Sequence, residues 1–257
     1  MKKTNKTDKS KNINRLALKL IGDEKWQNIT IPIFLILLSF FAASIIIIIL
    51  GKNPIAAFYN LLQGAGILPK PSYAGYKSML TDFLALLNYM TPMIFASLSV
   101  AIALKGGLFN IGVSGQMLFA GYFATVIIGY SGLNAILAKP LVLLVGIIAG
   151  AILGGMVGLL KYKFNINEVV SSIMFNYIIQ YVFSFFIHSN YIDPVSRQSR
   201  YIDSASRLTL VNVEFAGLKM DLPLGFIIAI ILAIVLKYFL DKSRIGFDLK
   251  ALGSNPK

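Results

Sequence analysis

Long apolar runs separated by short polar connections set the pattern of this chain. Runs long enough to cross a hydrocarbon core of about 30 Å as helix occupy residues 29–50, 84–104, 140–160, 168–188 and 222–240. A further run, residues 117–130, makes only roughly 21 Å of helix at about 1.5 Å per residue, too short to span alone. It reaches across only by recruiting the preceding GGLFNIGVSGQ, so the pattern predicts a compound segment over residues 106–130. That segment brings glycines together with Asn110, Ser114 and Gln116 at membrane depth. Non-helical backbone is tolerated there only when it is buried in protein or faces water. A broken or re-entrant helix follows, and such breaks offer free backbone groups to polar solutes. Asn110, Ser114 and Gln116 are therefore candidates for the lining of a polar path, against the plainer reading of a structural kink. Pro92 predicts a bend in the preceding helix. The fold class expected is all-α: a polytopic transmembrane bundle of about six spans, one of them broken or re-entrant.

Two of the spans carry a periodic second signal. Gly146, Gly150, Gly154 and Gly158 recur every fourth residue, winding about 40° per step around an ideal helix. Helices in lipid associate through close packing of small residues, so this stripe predicts a helix-packing seam. Gly121, Thr125 and Gly129 form a shorter version. In residues 168–188, Glu168, Ser172, Asn176, Gln180, Ser184 and His188 also fall four apart. Polar side chains in hydrocarbon are costly and turn to the protein interior or to a watery cavity. Glu168, Ser172 and Asn176 thus join the candidate translocation path. The competing roles are interhelical hydrogen bonding for the serines and, for Glu168, a helix start capped from Asn165 in a weak capping box.

Charge places the ends. The chain has 257 residues, 56% hydrophobic and 14% charged, with a net charge of +13 and a mean hydropathy of +0.73. Lysines crowd residues 1–28, and Lys105, Lys161, Lys163, Lys242, Arg244 and Lys250 fall on the same side of the predicted spans. The positive-inside rule then predicts a basic cytoplasmic arm over residues 1–28, a transmembrane domain over 29–241 and a cytoplasmic segment over 242–257, with both termini cytoplasmic. The first span reads as an uncleaved anchor: its basic lead and apolar core are long, and no small-residue cleavage site follows. Contact with anionic lipid accounts for the positive excess, and no folded basic domain is present to bind nucleic acid. There is no cysteine and one histidine, which excludes a disulfide framework, a Cys or multi-His metal site and a Ser-His-Asp triad. No GxxxxGK[ST] occurs, so no P-loop binds ATP in this chain. The expectation is a transport protein without cofactor or metal rather than an enzyme.

Three stretches together resemble the integral-membrane permeases of ATP-binding-cassette importers of the ribose/nucleoside type. GGLFNIGVSGQMLFAGYFA (106–124) is similar to their Phe-Asn-Ile-Gly-x-x-Gly-Gln block, in the nucleoside form. NINEVVSSIMFNYI (165–178) is similar to their Glu-Val-Val-x-x-Ile-Met-x-Asn-Tyr block. SRIGFDLKALGSNPK (243–257) is similar to the cytoplasmic segment that docks on the partner ATPase. The resemblance implies a permease subunit for a nucleoside or a simple sugar. It implies a substrate-binding lipoprotein at the outer face, a second permease subunit, identical or not, and two cytoplasmic ATPases that alone bind ATP. It also implies ATPase coupling through a short helix near residues 247–253, carrying Gly246, Leu249, Ala251 and Gly253 and closed by Asn255 and Pro256. Two departures stand out. Ser114 occupies a position where nucleoside permeases commonly have glutamate. The docking block lies mid-chain in that family, so ending at Lys257 implies a truncated permease or one completed by another chain.

Two other classes compete. Glu168 in an otherwise uncharged span is a possible proton or cation site, as an ion-gradient-driven secondary transporter or channel for a small polar solute would need. A membrane-embedded transferase would need an acidic or histidine cluster at an interface, which the sequence lacks. For that enzyme, the Arg197–Arg207 loop with Tyr191 and Tyr201 would be the phosphate contact. For an importer the same loop would contact the binding protein or simply be solvated.

Overall fold

A computed structural model of the chain describes residues 27–254. The basic arm before Gln27 and the expected helix stop at Asn255 and Pro256 lie outside the described residues. The described chain falls into two compact units, divided between Gly64 and Ala65.

The first unit holds α1 (Gln27–Ile49) and α2 (Pro54–Gly64). In α1 the hydroxyls of Ser39 and Ser44 donate to Leu35 O and Phe40 O one turn back, so neither polar group is left bare in an apolar helix. Asn53 caps α2, accepting from the Ile55 and Ala56 amides, and Pro54 occupies the first helical position, where no N–H is needed. Phe40 and Phe58 meet edge to face, ring centroids 5.1 Å apart.

The second unit contains α3 (Met79–Lys105), α4 (Val113–Ala124) continued by a π-turn at Thr125–Gly129, α5 (Ala135–Phe164) and α6 (Glu168–Asn190). A hairpin, β1 (Thr209–Phe215) and β2 (Leu218–Pro223), leads into α7 (Leu224–Lys242) and the short α8 (Arg244–Ser254). Among the described residues, α1, α3, α5, α6 and α7 are long and apolar enough to cross a membrane, and Val113–Gly129 is a shorter apolar helix. Counting that helix as a sixth crossing matches the expected number of spans. Lys105, Lys161, Lys163, Lys242 and Lys250 gather at one end of the second unit, and the hairpin lies at the other. Because 106–130 starts at the basic end and finishes against the segment before β1, it is a broken span and not a re-entrant loop.

The core lies between α4, α5 and α6. Leu153, Ile179 and Phe183 are buried, with Phe119, Tyr122, Phe123 and Phe175 packed against them. Tyr122 stacks on Phe183, centroids 4.2 Å apart, and Phe119 meets Phe183 edge to face. Aromatic pairs of this kind add about 0.5–1.5 kcal/mol each beyond area burial.

Three expectations need correction. First, the all-α reading leaves out a hairpin that follows the Arg197–Arg207 loop, closed by Ala216 and Gly217, both at positive φ (51° and 76°). Those angles define a type I′ turn, whose twist matches paired strands. Second, Asn165 does not cap α6. At φ 54° it terminates α5 instead, and Asn167 is the cap, accepting from the Val169 and Val170 amides. Third, among the described residues no helix crosses closely over the glycine stripe of α5. A Cβ at Gly146, Gly150 or Gly158 would meet nothing within 4 Å, and at Gly154 only the Gln116 side chain, 3.5 Å away.

Candidate functional site

The break between α3 and α4 is built in three steps. First, α3 stops in a Schellman closure: Leu108 N–H donates to Ala103 O (2.9 Å) and Gly107 N–H to Leu104 O (3.1 Å). The closure places Gly107 at φ 72°, a left-handed conformation natural to glycine. Next, Asn110 folds the extended stretch by accepting from the Gly112 amide (2.9 Å), while its own amide donates to Gln116 Oε1 (3.2 Å). Finally, α4 begins at Gly112, which has no side chain to cap the free N–H groups of the first turn.

That cap comes from another helix. Asn176, in the middle of α6, accepts from the Gly115 N–H at 2.8 Å, which is the bond an N-cap side chain would make to the third residue of a helix. Its Nδ2 donates to Ile111 O at 3.1 Å. One amide thus satisfies a donor and an acceptor on either side of the break, two groups that would be costly to leave bare at membrane depth. Glycine is required for the approach. A Cβ at Gly115 would stand 2.6 Å from Asn176 Oδ1 and 3.1 Å from its Cα, and one at Gly112 3.3 Å from Ser172 Cβ.

Below this docking site is a cavity of about 180 Å³ whose walls include Asn110, Gln116, Gly154, Lys161, Glu168 and Ser172. Lys161 Nζ lies 2.8 Å from Glu168 Oε1, tying the end of α5 to the start of α6. Ser172, fully buried, donates to Glu168 O at 2.5 Å. Four of the six residues singled out for a polar path therefore meet at one cavity. Asn176 is engaged in docking above it. Ser114 is exposed and does not line it, and Gln180, Ser184 and His188 are exposed farther along α6. The stripe glycines Gly154 and Gly158 line the same cavity. Among the described residues no three His, Cys, Asp or Glu come together as a metal site.

The terminal segment folds back on this break. Ser243 turns the chain between α7 and α8, its hydroxyl accepting from the Gly246 N–H at 2.9 Å and donating to Phe239 O at 2.6 Å. Gly246 is buried, and a Cβ there would lie 2.7 Å from Leu240 Cα. Lys250 pairs with Asp241 at 2.7 Å. Leu249 packs over Gly106 and Gly253 over Gly107, while Ala251 is exposed. The sequence named these residues but carried no signal that the last helix rests on the first residues of the break.

The comparisons with known proteins agree with this architecture. The nucleoside ABC transporter permease protein NupB of Lactococcus lactis is 30% identical over 241 residues, covering 91% of this chain and 63% of the relative. The guanosine ABC transporter permease protein NupP of Bacillus subtilis is 32% identical over 234 residues, covering 90% and 63%. The glucose ABC transporter permease protein TsgB13 of Haloferax volcanii is 29% identical over 171 residues, covering 64% and 45%. The chain thus spans under two thirds of the length of each of these relatives. No solved structure matches it. The family described as branched-chain amino acid transport system / permease component matches residues 83–257, from within α3 to the last residue. This multi-pass protein of the cell membrane belongs to that permease family.

Proposed function

We propose that the chain is a permease subunit of an ATP-binding-cassette importer and forms part of the transmembrane path for a nucleoside. The observation that carries the reading is the Asn176-capped break, which holds Asn110 and Gln116 against Glu168 and Ser172 around a cavity whose remaining walls, Leu108, Phe109 and Val157 among them, are apolar. The likeness to NupB and NupP over nine tenths of the chain supports a nucleoside over a sugar. ATP would be bound by separate cytoplasmic ATPase subunits. Ile245, Phe247 and Leu252 support that docking: they are exposed apolar residues of α8 at the basic end of the second unit. A second permease subunit and an extracellular substrate-binding lipoprotein complete the proposed complex. The ion-coupled alternative draws less support, because Glu168 is paired with Lys161 and is not a lone carboxylate.

Uptake of labelled guanosine tests the reading. In cells that depend on this chain, uptake should survive a protonophore while ATP is maintained and should vanish when the partner ATPase is deleted. Unlabelled guanosine should compete, and glucose and leucine should not. Uptake indifferent to the ATPase and abolished by the protonophore would overturn it.

A further inference from the structure

A second cavity, about 690 Å³, opens at the opposite end of α4 and α6 from the basic residues. It is walled by four tyrosines, Tyr122 and Tyr130 from the 113–130 segment and Tyr191 and Tyr201 from the segment after α6, together with Arg200 and Arg207. The arrangement is braced from both sides. The π-turn at Thr125–Gly129 presents its last carbonyls outward, and the segment after α6 satisfies them: Ser206 Oγ donates to Ile128 O and Asp203 N–H to Gly129 O, each at 3.2 Å. Gly129 lets Ile202 approach, since a Cβ there would lie 3.2 Å from Ile202 Cγ2.

Three of the four rings are held by stacking, and three of the four hydroxyls are free. Tyr122 is stacked on Phe183, and Tyr130 on Tyr191 at 5.5 Å between centroids. Tyr130 uses its hydroxyl on Arg200 O, whereas the hydroxyls of Tyr122, Tyr191 and Tyr201 have no partner among the described residues. Arg207 spends Nε on Ile202 O at 3.2 Å. Asp193 lies in the field of Arg200, and its carboxyl is held below the ordinary range chiefly by the Val195 N–H. Neither guanidinium comes within ion-pair distance of a carboxylate among the described residues. The cavity therefore combines aromatic faces, free hydroxyls and cationic donors without a fixed anion.

We infer that this cavity is a binding site for a planar heteroaromatic ring rich in hydrogen-bond acceptors, a nucleobase, entering before it reaches the break. Tyrosine faces stack on any base. Guanidinium groups give paired donors to the acceptor edge of a purine, and tyrosine hydroxyls suit ribose oxygens. A glucose ring has no π face to stack, and leucine, whose carboxylate can meet an arginine, has no ring for the tyrosines. The choice of ligand rests on the nucleoside reading above, while the site rests on the cavity itself.

The test is photolabelling of membranes that carry the full chain, with 8-azidoguanosine as probe and adducts mapped by peptide mass spectrometry. Adducts should fall on peptides containing Tyr122, Tyr191 or Tyr201, and excess guanosine should block them while glucose and leucine do not. Tyr201 is highly exposed, so Tyr201→Ala should fold. It should lower labelling about tenfold, the size of one lost base–aromatic stack, and Tyr201→Phe should keep it. Adducts elsewhere, protection by glucose equal to that by guanosine, or labelling unchanged in Tyr201→Ala would overturn the site. Guanosine uptake that depends on the chain, with no labelling here, would overturn the site and leave the transport reading standing. Labelling confined to this cavity without such uptake would overturn the transport reading and leave the site.

Discussion

Gly253 in α8 lies directly on Gly107, the left-handed residue that ends α3. A Cβ on Gly253 would overlap the Lys105 carbonyl and stand 2.9 Å from the Gly107 amide nitrogen; one on Gly107 would stand 3.0 Å from Gly253 Cα. Two backbones at this distance have no side chain between them to absorb a displacement, because packed interfaces move between discrete arrangements. Any shift of α8 along its axis must be taken up by the Gly106–Gly107 turn, which leads in five residues to Gly112 and the start of α4.

The contact is testable because the chain has no cysteine. In a Gly106→Cys, Leu249→Cys double variant the two thiols should form a disulfide on mild oxidation. A Cβ at Gly106 lies 3.4 Å from Leu249 Cγ, which leaves the two Cβ atoms near the separation a disulfide needs. Adding Gly253→Val should suppress that bridge by lifting α8 off the turn, with membrane insertion unchanged. Equal bridge yield with and without Gly253→Val would show that the glycine contact does not seat the helix.

The capping of α4 by Asn176 makes a second prediction. Asn176→Ala leaves the Gly115 N–H and Ile111 carbonyl without partners, and should destabilise the protein in detergent by about 1–3 kcal/mol. Asn176→Asp keeps the acceptor but sets a carboxylate against the Ile111 carbonyl, so it should destabilise at least as much. Gly115→Ala attacks the same bond from the other side. Its methyl would meet both Asn176 Oδ1 and Asn176 Cα, so moving the side chain cannot relieve it. If thermal scans found Asn176→Ala indistinguishable from the parent, the cap would carry no weight.

Much of this architecture was legible because hydrophobic length is a strong signal. The spans at 84–104, 140–160 and 168–188 fall inside α3, α5 and α6, and 222–240 is offset by two residues from the start of α7 at Leu224. The need for a break followed from arithmetic, since 117–130 is too short to cross alone. Other features depended on tertiary partners that spacing does not reveal. Asn176 and Gly115 lie 61 positions apart, so the cap could not be read from either stretch. Asn165 and Asn167 are both plausible caps, and the left-handed closure of α5 uses the first while the side chain of the second faces the α6 amides. Ala216-Gly217 is a less usual pair for a type I′ turn than Asn-Gly, which hid the hairpin. The tyrosines of the second cavity come from two segments about 70 positions apart, and only Tyr191 and Tyr201 drew notice.

Cysteine scanning of the break follows from its geometry. Asn110 and Gln116 are half-buried and bonded to each other at 3.2 Å, whereas Ser114 is exposed and outside that network. If the break lines an aqueous path, Asn110→Cys and Gln116→Cys, which wall its cavity, should react with a membrane-impermeant thiol reagent, and Ser114→Cys, which lies outside it, should react more slowly. Silence at all three positions would rule out water at the break.

The glycine stripe separates two roles that small residues play in membrane helices. If Gly146, Gly150 and Gly158 sealed a crossing inside this chain, alanine at each would push helices apart and lower stability. The space around them is open, so Gly146→Ala, Gly150→Ala and Gly158→Ala should leave the isolated chain as stable as before or up to about 1 kcal/mol more stable per site, from helix propensity alone. Gly154→Ala brings a methyl to 3.5 Å from Gln116 Nε2, an ordinary contact, so it too should fold. Its effect should appear instead as slower thiol modification of Gln116→Cys, because the added methyl narrows the cavity that both residues line. A large loss of stability from alanine at Gly150 would mean that the stripe is a packing seam after all. The informative comparison is between the isolated chain and the assembled transporter: loss of uptake with unchanged stability of the isolated chain would place the stripe against a partner subunit, since none of the described residues fills that space.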